Sequence, residues 1–339
     1  MIIPVLVLFL CFSILFLNDK QDQSYKKKKP ILFLTIVILT FIAAFRPEDM
    51  ADRDNYLDFW NDWSGERFEI GFAFLSELIR KISDSFYWFL FFFAFFSISL
   101  KINAICKITT LIWGSIILYL SNIFILHDMI QMRCAIASGF LLHAVYYIGT
   151  RNLKKFLLVS LFAMLFHYSA IIVLPLWFLN IHKPHKYFYI GLIFISYILG
   201  GIIPIETIIG YIPIEGIQNL WDMYETTVDS EINIFNAMQL GRTLIVIYLL
   251  LTIDRISLYN PFAILLVQIY AISVIALVLL SSVPVVAFRV SEFYQIVEIV
   301  IVPMAIYSIK GNSFVKRIAV VLVATAFILM NIFYVGILK

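Results

Sequence analysis

Single cationic side chains that interrupt or border long apolar stretches are the residues of this sequence best suited to chemistry. They are Arg133, His167, Arg242 and Arg289. An ionisable group at membrane depth costs about 3 kcal/mol on insertion scales, so each one requires a compensating role. The planar guanidinium of arginine donates two parallel hydrogen bonds to a phosphate. We therefore predict that these groups line a polar chamber for an anionic, lipid-linked ligand.

Further polar residues lie near the same predicted outer ends of the apolar segments. Arg46, Arg53 and the acidic pair Asp52 and Asp54 fall in the first outer loop, and His127 falls at the end of a segment. Cations that gather at one end of a helical bundle, in a low dielectric, form a strong anion site. The sequence therefore predicts one anion site at the outer ends of the helices.

Four of these residues also have a purely structural interpretation. Arg133 can extend its head group to the membrane interface, and His167 can be a core histidine that is hydrogen-bonded to Ser169. Asp52 and Asp54 belong to a residue type that is common in turns. These alternatives stay open at the level of sequence.

The elements that must position these groups are membrane helices. Hydrophobic residues make up 62% of the 339 residues, charged residues make up 14%, and apolar runs of about 20 residues recur along the chain. In hydrocarbon such runs must be helical, because no water satisfies free backbone groups. We predict an all-α polytopic membrane protein with about 10–12 transmembrane helices. The predicted segments are 2–17, 31–45, 86–104, 108–126, 129–149, 156–179, 187–203, 238–253, 261–282, 290–309 and 318–337.

Basic residues near the segment ends set the predicted topology. Because cytoplasmic loops are rich in Lys and Arg, we place the run Lys26–Lys29 and the pair Lys101 and Lys107 in the cytoplasm. If the remaining basic clusters are also cytoplasmic, successive segments cross the membrane in alternating directions. The exception is 156–179, which must enter and leave on the same side. The polar stretch around His167 favours a broken or re-entrant helix that lines a polar cavity. A plain crossing is the alternative, and it would reverse the sidedness of everything that follows.

Two outer loops, 46–85 and 204–237, are long enough to contribute to a site. The second contains acidic residues and no Lys or Arg, which suits an external location. The first continues into a stretch with two unlike faces, which predicts an amphipathic helix on the outer membrane surface. The predicted apolar face comprises Ile70, Phe74, Leu75, Leu78 and Ile79, and the polar face comprises Glu69, Ser76, Glu77, Arg80 and Lys81. Residues 1–339 are predicted to form a single integral membrane domain.

Several short motifs occur in order over residues 40–310. They are Arg53-Asp54-Asn55-Tyr56, Glu69-Ile70-Gly71-Phe72, Arg133-Cys134-Ala135-Ile136-Ala137, Phe166-His167-Tyr168-Ser169-Ala170, and Ala287-Phe288-Arg289 with Tyr294 and Pro303. In this order they resemble the EpsG-like proteins, the Wzy-type polymerases of exopolysaccharide, capsule and O-antigen repeat units. An acidic outer loop before a surface helix also resembles the catalytic loop of GT-C glycosyltransferases, so a GT-C-like architecture is an option.

The resemblance implies a glycosyltransferase in the bacterial inner membrane. Its substrates would be oligosaccharide repeat units linked to undecaprenyl pyrophosphate, which it would polymerise at the periplasmic face. A sugar hydroxyl of the acceptor unit attacks the anomeric carbon of the donor, and pyrophosphate leaves. The implied partners are the lipid-linked oligosaccharide and membrane lipid, with a chain-length regulator and a flippase as candidate protein partners. Nucleic acid is not an expected partner.

The resemblance also assigns roles to residues. Arg133, Arg242 and Arg289 would hold the pyrophosphate and stabilise its developing charge. Asp52, Asp54 or His167 would accept the proton of the attacking hydroxyl. No cofactor is required where arginines replace a metal, although Asp52 and Asp54 could hold a divalent cation. The other residues expected to bind pyrophosphate or glycan are Arg46, Arg53, Tyr56, Glu69, His127 and Tyr294.

Two other function classes also fit a cationic membrane cavity. A flippase for the same lipid-linked sugars would need such a cavity, but transporters usually show internal repeats and none is visible here. A membrane O-acyltransferase could use His167 as its base, with Tyr168 and Ser169 as the polar neighbours in the same stretch. Longer glycans, translocated lipid or acylated sugar would distinguish the three classes.

Overall fold

The structure, a computed structural model, describes residues 2–19, 25–62, 68–200 and 232–335. Every regular element in these ranges is helical, which confirms the predicted all-α class of a membrane protein. Within these ranges, Phe86–Ile108, Ala237–Ile256 and Ser313–Phe333 are long and apolar enough to cross a bilayer, and shorter apolar helices accompany them. The predicted outer loop 204–237 lies almost wholly outside the described residues.

The chain forms two compact units, of which the first comprises Met1–Leu174 and Glu298–Lys339. Its early helices are α1 (Ile2–Asn18), α2 (Tyr25–Ala44), α3 (Arg53–Asp62), α4 (Ile70–Arg80), α5 (Phe86–Ile108) and α6 (Ile112–Leu118), which continues as a π-helix, Tyr119–Asp128. Its later helices are α7 (Met132–Gly149) and α8 (Leu153–Phe166), with α13 (Glu298–Ser308) and α14 (Ser313–Met330) from the end of the chain.

The second unit is Pro175–Val297. Its helices are α9 (Lys186–Gly200), α10 (Ala237–Ile256), α11 (Ala263–Leu279) and α12 (Pro284–Gln295). Residues 290–309 do not form the single predicted segment, because α12 ends at Gln295 and α13 begins at Glu298. Whether residues 1–339 act as one membrane domain stays a prediction.

The helix predicted to break within 156–179 does break, at His167. Helix α8 ends at Phe166, and His167 has extended backbone angles (φ −157°, ψ 108°). A 3₁₀-helix, Tyr168–Phe178, follows it. This interruption exposes backbone groups that a continuous helix would satisfy, which is tolerated at membrane depth beside polar side chains. That the segment enters and leaves on one side stays a prediction.

Helix α4 forms where the amphipathic pattern predicts it, and it packs through an unexpected face. Ile70, Phe74 and Leu78 are 69%, 68% and 47% exposed, as suits a helix on a membrane surface. Glu69 and Ser76, predicted on the polar outer face, are instead buried. Phe72 and Ile79 are also buried. Of these two, Ile79 was predicted on the apolar face.

Close packing of α4 on α8 depends on a glycine. A Cβ added at Gly71 would lie 2.7 Å from the carbonyl oxygen of Leu165. Such a separation is well inside ordinary contact, so any side chain there would push the two helices apart. The absence of a side chain at residue 71 therefore brings the start of α4 against the end of α8.

Lys101 is not the cytoplasmic loop residue that the charge pattern predicted. It lies inside α5, fully buried, and its ammonium donates to both carboxylate oxygens of Asp128, at 2.8 and 2.7 Å. The Ser97 hydroxyl and the Tyr119 hydroxyl donate to the same carboxylate, at 2.6 and 2.7 Å. The wide π-helical turns that end at Asp128 present this acid to α5. Helix α5 therefore extends past its predicted end at residue 104. Lys101 is no longer one of the loop residues from which the cytoplasmic side was predicted.

The lysine run at the start of α2 is also helical rather than a loop. Helix α2 begins at Tyr25, before Lys28, and the Lys28 ammonium lies 2.8 Å from a carboxylate oxygen of Asp19. Lys28 is buried. This pair joins the beginning of α2 to the end of α1.

We expect Asp128→Asn to destabilise the protein strongly, because Lys101 would keep a buried charge without a countercharge. The expected loss is about 3–5 kcal/mol. The double variant Lys101→Met with Asp128→Leu should recover much of it. Asp254→Asn, which removes the exposed partner of Lys186, is the matched control, with an expected loss under about 1 kcal/mol. Thermal unfolding in detergent measures all three, and equal losses for both single variants would contradict the structural role of the buried pair.

Candidate functional site

The carboxylate of Glu69 connects three elements of the first unit. The Arg133 guanidinium donates through Nη1 to Oε2 at 2.9 Å. On the other oxygen, Oε1, the His167 Nδ1 lies at 3.4 Å and the backbone N–H of Tyr168 donates at 3.4 Å. Glu69 was predicted to contact substrate. Its buried position between Arg133 and His167 suits it to orient both side chains, and its contact with substrate stays a prediction.

Each of these side chains sits at a helix end, and the local sequence explains why. Glu69 is the residue that precedes α4, in extended conformation, where a negative charge is favourable beside the helix N-terminus. Arg133 is in the first turn of α7, and His167 terminates α8. Helix ends leave backbone groups unsatisfied, so polar side chains gather there while helix interiors stay apolar.

Glu69 stays ionised throughout the physiological pH range. Burial alone would raise the pKa of Glu69, but the hydrogen bond from His167 and the charge of Arg133 outweigh burial and lower that pKa to about 2. So weak a base is unsuited to accepting a proton in catalysis. A carboxylate at Nδ1 of His167 instead favours the tautomer with its proton on Nδ1, in which Nε2 is the proton acceptor.

Arg133 is the most accessible member of this group. Its side chain is 29% exposed, against 4% for Glu69. The Tyr56 hydroxyl is within electrostatic range of it, and its guanidinium lies 4.8 Å from the centre of the Phe68 ring. Burial raises the pKa of Tyr56, which keeps the hydroxyl protonated. Arg133 therefore lies beside a carboxylate, a phenol and an aromatic face, and part of it remains open to a ligand.

Two further predicted arginines lie in the same unit and are more deeply buried. Arg46 donates through Nε to the carbonyl of Ala43 at 2.8 Å and through Nη1 to the carbonyl of Met129. Burial lowers the pKa of Arg46 to about 10, so it is still a cation at neutral pH, within electrostatic range of Tyr56 and Arg53. Arg53 lies 3.6 Å from the exposed carboxylate of Glu48, so among these arginines it is Arg133 that combines a fixed orientation with partial exposure to a ligand.

The structure separates the acidic pair from its arginine. Asp52 and Asp54 are exposed, whereas Arg53 and Tyr56, three residues apart on α3, are buried. Asp52 adopts a left-handed backbone conformation (φ 61°) just before α3, and Asp54 lies in its first turn. Both are positions that Asp favours for backbone reasons. Among the described residues, no group of three or more His, Cys, Asp or Glu is placed to hold a metal ion.

His127 lies in the core rather than at an open surface. It is fully buried, with Nδ1 at 3.1 Å from the Ser138 hydroxyl and Nε2 at 3.9 Å from the Cys134 sulfur. It precedes Asp128 in the chain. This environment favours the structural interpretation of His127, while its role toward a ligand stays a prediction.

The remaining predicted residues belong to the second unit. Arg242 lies on α10, while Arg289 and Tyr294 lie on α12. Arg289 is exposed, Arg242 is half-buried and Tyr294 is buried. Their predicted contribution to one pyrophosphate site with Arg133 stays a prediction.

Sequence reasoning missed the buried ion pair of Lys101 and Asp128 and the anchoring role of Glu69. An acid within a long apolar run was the available signal for Asp128. For Glu69 the signal was a carboxylate directly before an amphipathic helix. Neither signal identifies a partner, because the partners are 27 and 64 residues away in the chain.

In a comparison with known proteins, residues 29–339 match the EpsG family. The amylovoran biosynthesis protein AmsC of Erwinia amylovora is 24% identical to this chain over 216 residues, which are 58% of this chain and 56% of AmsC. The match thus spans little more than half the length of that relative. No solved structure matches the chain.

We expect Glu69→Gln to lower the melting temperature in detergent, because Arg133 and His167 lose their shared carboxylate. The lowered pKa corresponds to about 3 kcal/mol of stability. It is present in full above pH 4.5 and is lost as the pH falls through about 2. The difference in melting temperature between the wild type and the variant should therefore be constant from pH 8 to about 5.5 and shrink below pH 4.5.

The matched control is Glu77→Gln on the same helix, where the carboxylate is exposed and pairs with Lys81 at 3.0 Å. Its effect should stay below about 0.5 kcal/mol at any pH. A Glu69→Gln effect no larger than this control would contradict the anchoring role.

Proposed function

The chain belongs to the EpsG family, and on that premise we propose that it is a membrane glycosyltransferase that polymerises lipid-linked oligosaccharide repeat units. The observation that supports this most directly is the environment of Arg133. Arg133 is a partly exposed arginine, oriented by the buried carboxylate of Glu69 and with the Tyr56 phenol within electrostatic range. Such a group is suited to hold a diphosphate and to stabilise the charge that develops on it as a leaving group.

The proposed reaction forms one glycosidic bond and breaks one. A hydroxyl of the acceptor repeat unit attacks the anomeric carbon of the donor glycan, and the bond from that carbon to the pyrophosphate oxygen breaks. The bonding electrons leave with the polyprenyl diphosphate, which carries the new negative charge. Arg133 neutralises that charge, with Arg242 and Arg289 as the further arginines proposed to hold the diphosphate.

His167 is the proposed acceptor of the hydroxyl proton. The Glu69 carboxylate lies at its Nδ1, which leaves Nε2 as the proton acceptor. Asp52 and Asp54 remain alternative acceptors, at exposed positions on either side of the buried Arg53 in the sequence. We favour His167 because the same carboxylate orients both it and Arg133.

The donor and acceptor proposed here are linked to undecaprenyl pyrophosphate, and the site is proposed to face the periplasm from the bacterial inner membrane. Amylovoran biosynthesis, the process named for the relative AmsC, supports polysaccharide assembly as the wider setting. A flippase that delivers the repeat units and a regulator of chain length are the proposed protein partners.

We expect Arg133→Gln to reduce glycan extension about 100-fold or more, the usual cost of removing one donor from a developing anion. Arg133→Lys, which keeps the charge but not the planar fork, should retain part of the activity. Arg255→Gln, at an exposed arginine of α10, is the control and should extend glycans normally. The assay is extension of lipid-linked repeat units by the protein in nanodiscs. Normal extension by Arg133→Gln would refute the assignment.

His167→Gln tests the base separately. We expect it to reduce extension about 100-fold and to flatten the acidic limb of the pH–rate profile, because that limb reports protonation of the base. Asp52→Asn and Asp54→Asn should leave that limb in place. If the limb survives in His167→Gln and disappears in either aspartate variant, that aspartate is the base instead.

A further inference from the structure

An apolar cavity of about 460 Å³ lies in the first unit, in the size range of small-molecule sites. Every residue that lines it is apolar, and several are aromatic. The lining residues are Gly71, Phe74, Leu75, Phe96, Phe140, Phe162, Leu165 and Phe166.

This cavity is built on the helices that position the charged groups. Gly71 is two residues after Glu69, and Phe166 immediately precedes His167. On α7, Phe140 follows Arg133 by seven residues, which places the two side chains on one helix face about 10 Å apart along the axis. The cavity therefore begins where the cationic site ends.

Phenylalanine rings form a continuous wall to this cavity. The Phe140 ring lies 6.0 Å from that of Phe96, 5.7 Å from that of Phe162 and 6.4 Å from that of Phe166, between ring centres. The rim is open, since Phe74 and Phe162 are both exposed. Because Phe74 lies on the apolar outer stripe of α4, a hydrocarbon chain has access from the bilayer.

We propose that this cavity binds the first isoprenoid units of the carrier lipid while the adjoining diphosphate contacts Arg133. The proposal rests on the function proposed above and locates the hydrocarbon part of that substrate. Charge complementarity selects this occupant, because a prenyl diphosphate is anionic at the end where the site is cationic and apolar where the cavity is apolar.

The benefit of such a site is orientation rather than affinity. Lipid tails are as apolar as the cavity wall, so moving a prenyl chain out of the bilayer gains little free energy. A chain held between rings nevertheless fixes the direction from which its diphosphate reaches Arg133. Correct alignment of reacting groups can lower a barrier by several kcal/mol.

Photolabelling tests the proposal directly. The probe is a benzophenone-bearing geranylgeranyl diphosphate, added to the wild-type protein in nanodiscs. We expect mass spectrometry to locate the label on residues 71–75 and 162–166. Labelling confined to other peptides would overturn the proposal, and this result needs no variant.

A pair of substitutions on α4 provides a matched test. Leu75→Trp places an indole in the cavity and should abolish labelling of these peptides. Leu78→Trp, the same change three residues away on the exposed stripe, should leave labelling unchanged. Size-exclusion chromatography confirms that each variant is folded. Undiminished labelling of a folded Leu75→Trp protein would overturn the proposal.

Competition identifies the occupant. Unlabelled geranylgeranyl diphosphate should displace the probe, and inorganic pyrophosphate in excess should also reduce labelling because it competes for Arg133, while phosphatidylglycerol should not. Displacement by phosphatidylglycerol at the same concentration would mean that an ordinary bilayer lipid occupies the cavity, which overturns the proposal.

The two proposals fail in different ways. Cavity labelling of a protein that never extends glycans would refute the polymerase function and leave the prenyl diphosphate site standing. Glycan extension at the wild-type rate by Leu75→Trp would refute the cavity assignment and leave the polymerase function intact.

Discussion

The arrangement of the first unit depends on one buried carboxylate. Burial of Glu69 by itself would favour its protonated form, and its contact with His167 and the charge of Arg133 keep it ionised. Arg133 and His167 approach from α7 and from the end of α8, so the same charge joins three helix ends. Without that charge, the arginine would be a costly cation in an apolar bundle and the histidine would lack a fixed orientation. The chemistry proposed for both side chains therefore depends on Glu69, although Glu69 itself takes no proton.

Irregular backbone provides the space for polar groups in this otherwise apolar bundle. The break at His167 and the π-helical turns before Asp128 each place a charged or titratable side chain where a continuous α-helix would direct it elsewhere. The buried ion pair of Lys101 and Asp128 is satisfied in the same region. The Ser97 and Tyr119 hydroxyls complete its hydrogen bonds. Replacing such a pair by apolar side chains often leaves net stability unchanged, whereas removing one partner alone costs several kcal/mol.

Charged and apolar binding surfaces lie side by side on the same helices. Glu69, Arg133 and His167 lie at or near the ends of three helices, and the ring-lined cavity that includes Phe140 and Phe166 is built on the same helices. For a substrate with an anionic head and a hydrocarbon tail in a bilayer, the head supplies most of the binding free energy, because the tail is already solvated by lipid. The proposed tail site would then restrict the directions from which the head reaches Arg133.

Local patterns in the sequence were sufficient for the helical class, for the interruption at His167 and for the existence of α4, because hydropathy and backbone hydrogen bonding act over a few turns. The order of the motifs was likewise sufficient for the resemblance to the family that the comparison confirms. Which charges pair was decided only by tertiary structure. The sequence predicts Lys101 in a loop, but in the structure it is buried beside Asp128. The sequence predicts Glu69 on an outer polar face, but in the structure it binds Arg133, 64 positions later. The physical reason is that the cost of a buried charge depends on neighbours that only helix packing brings within hydrogen-bonding distance.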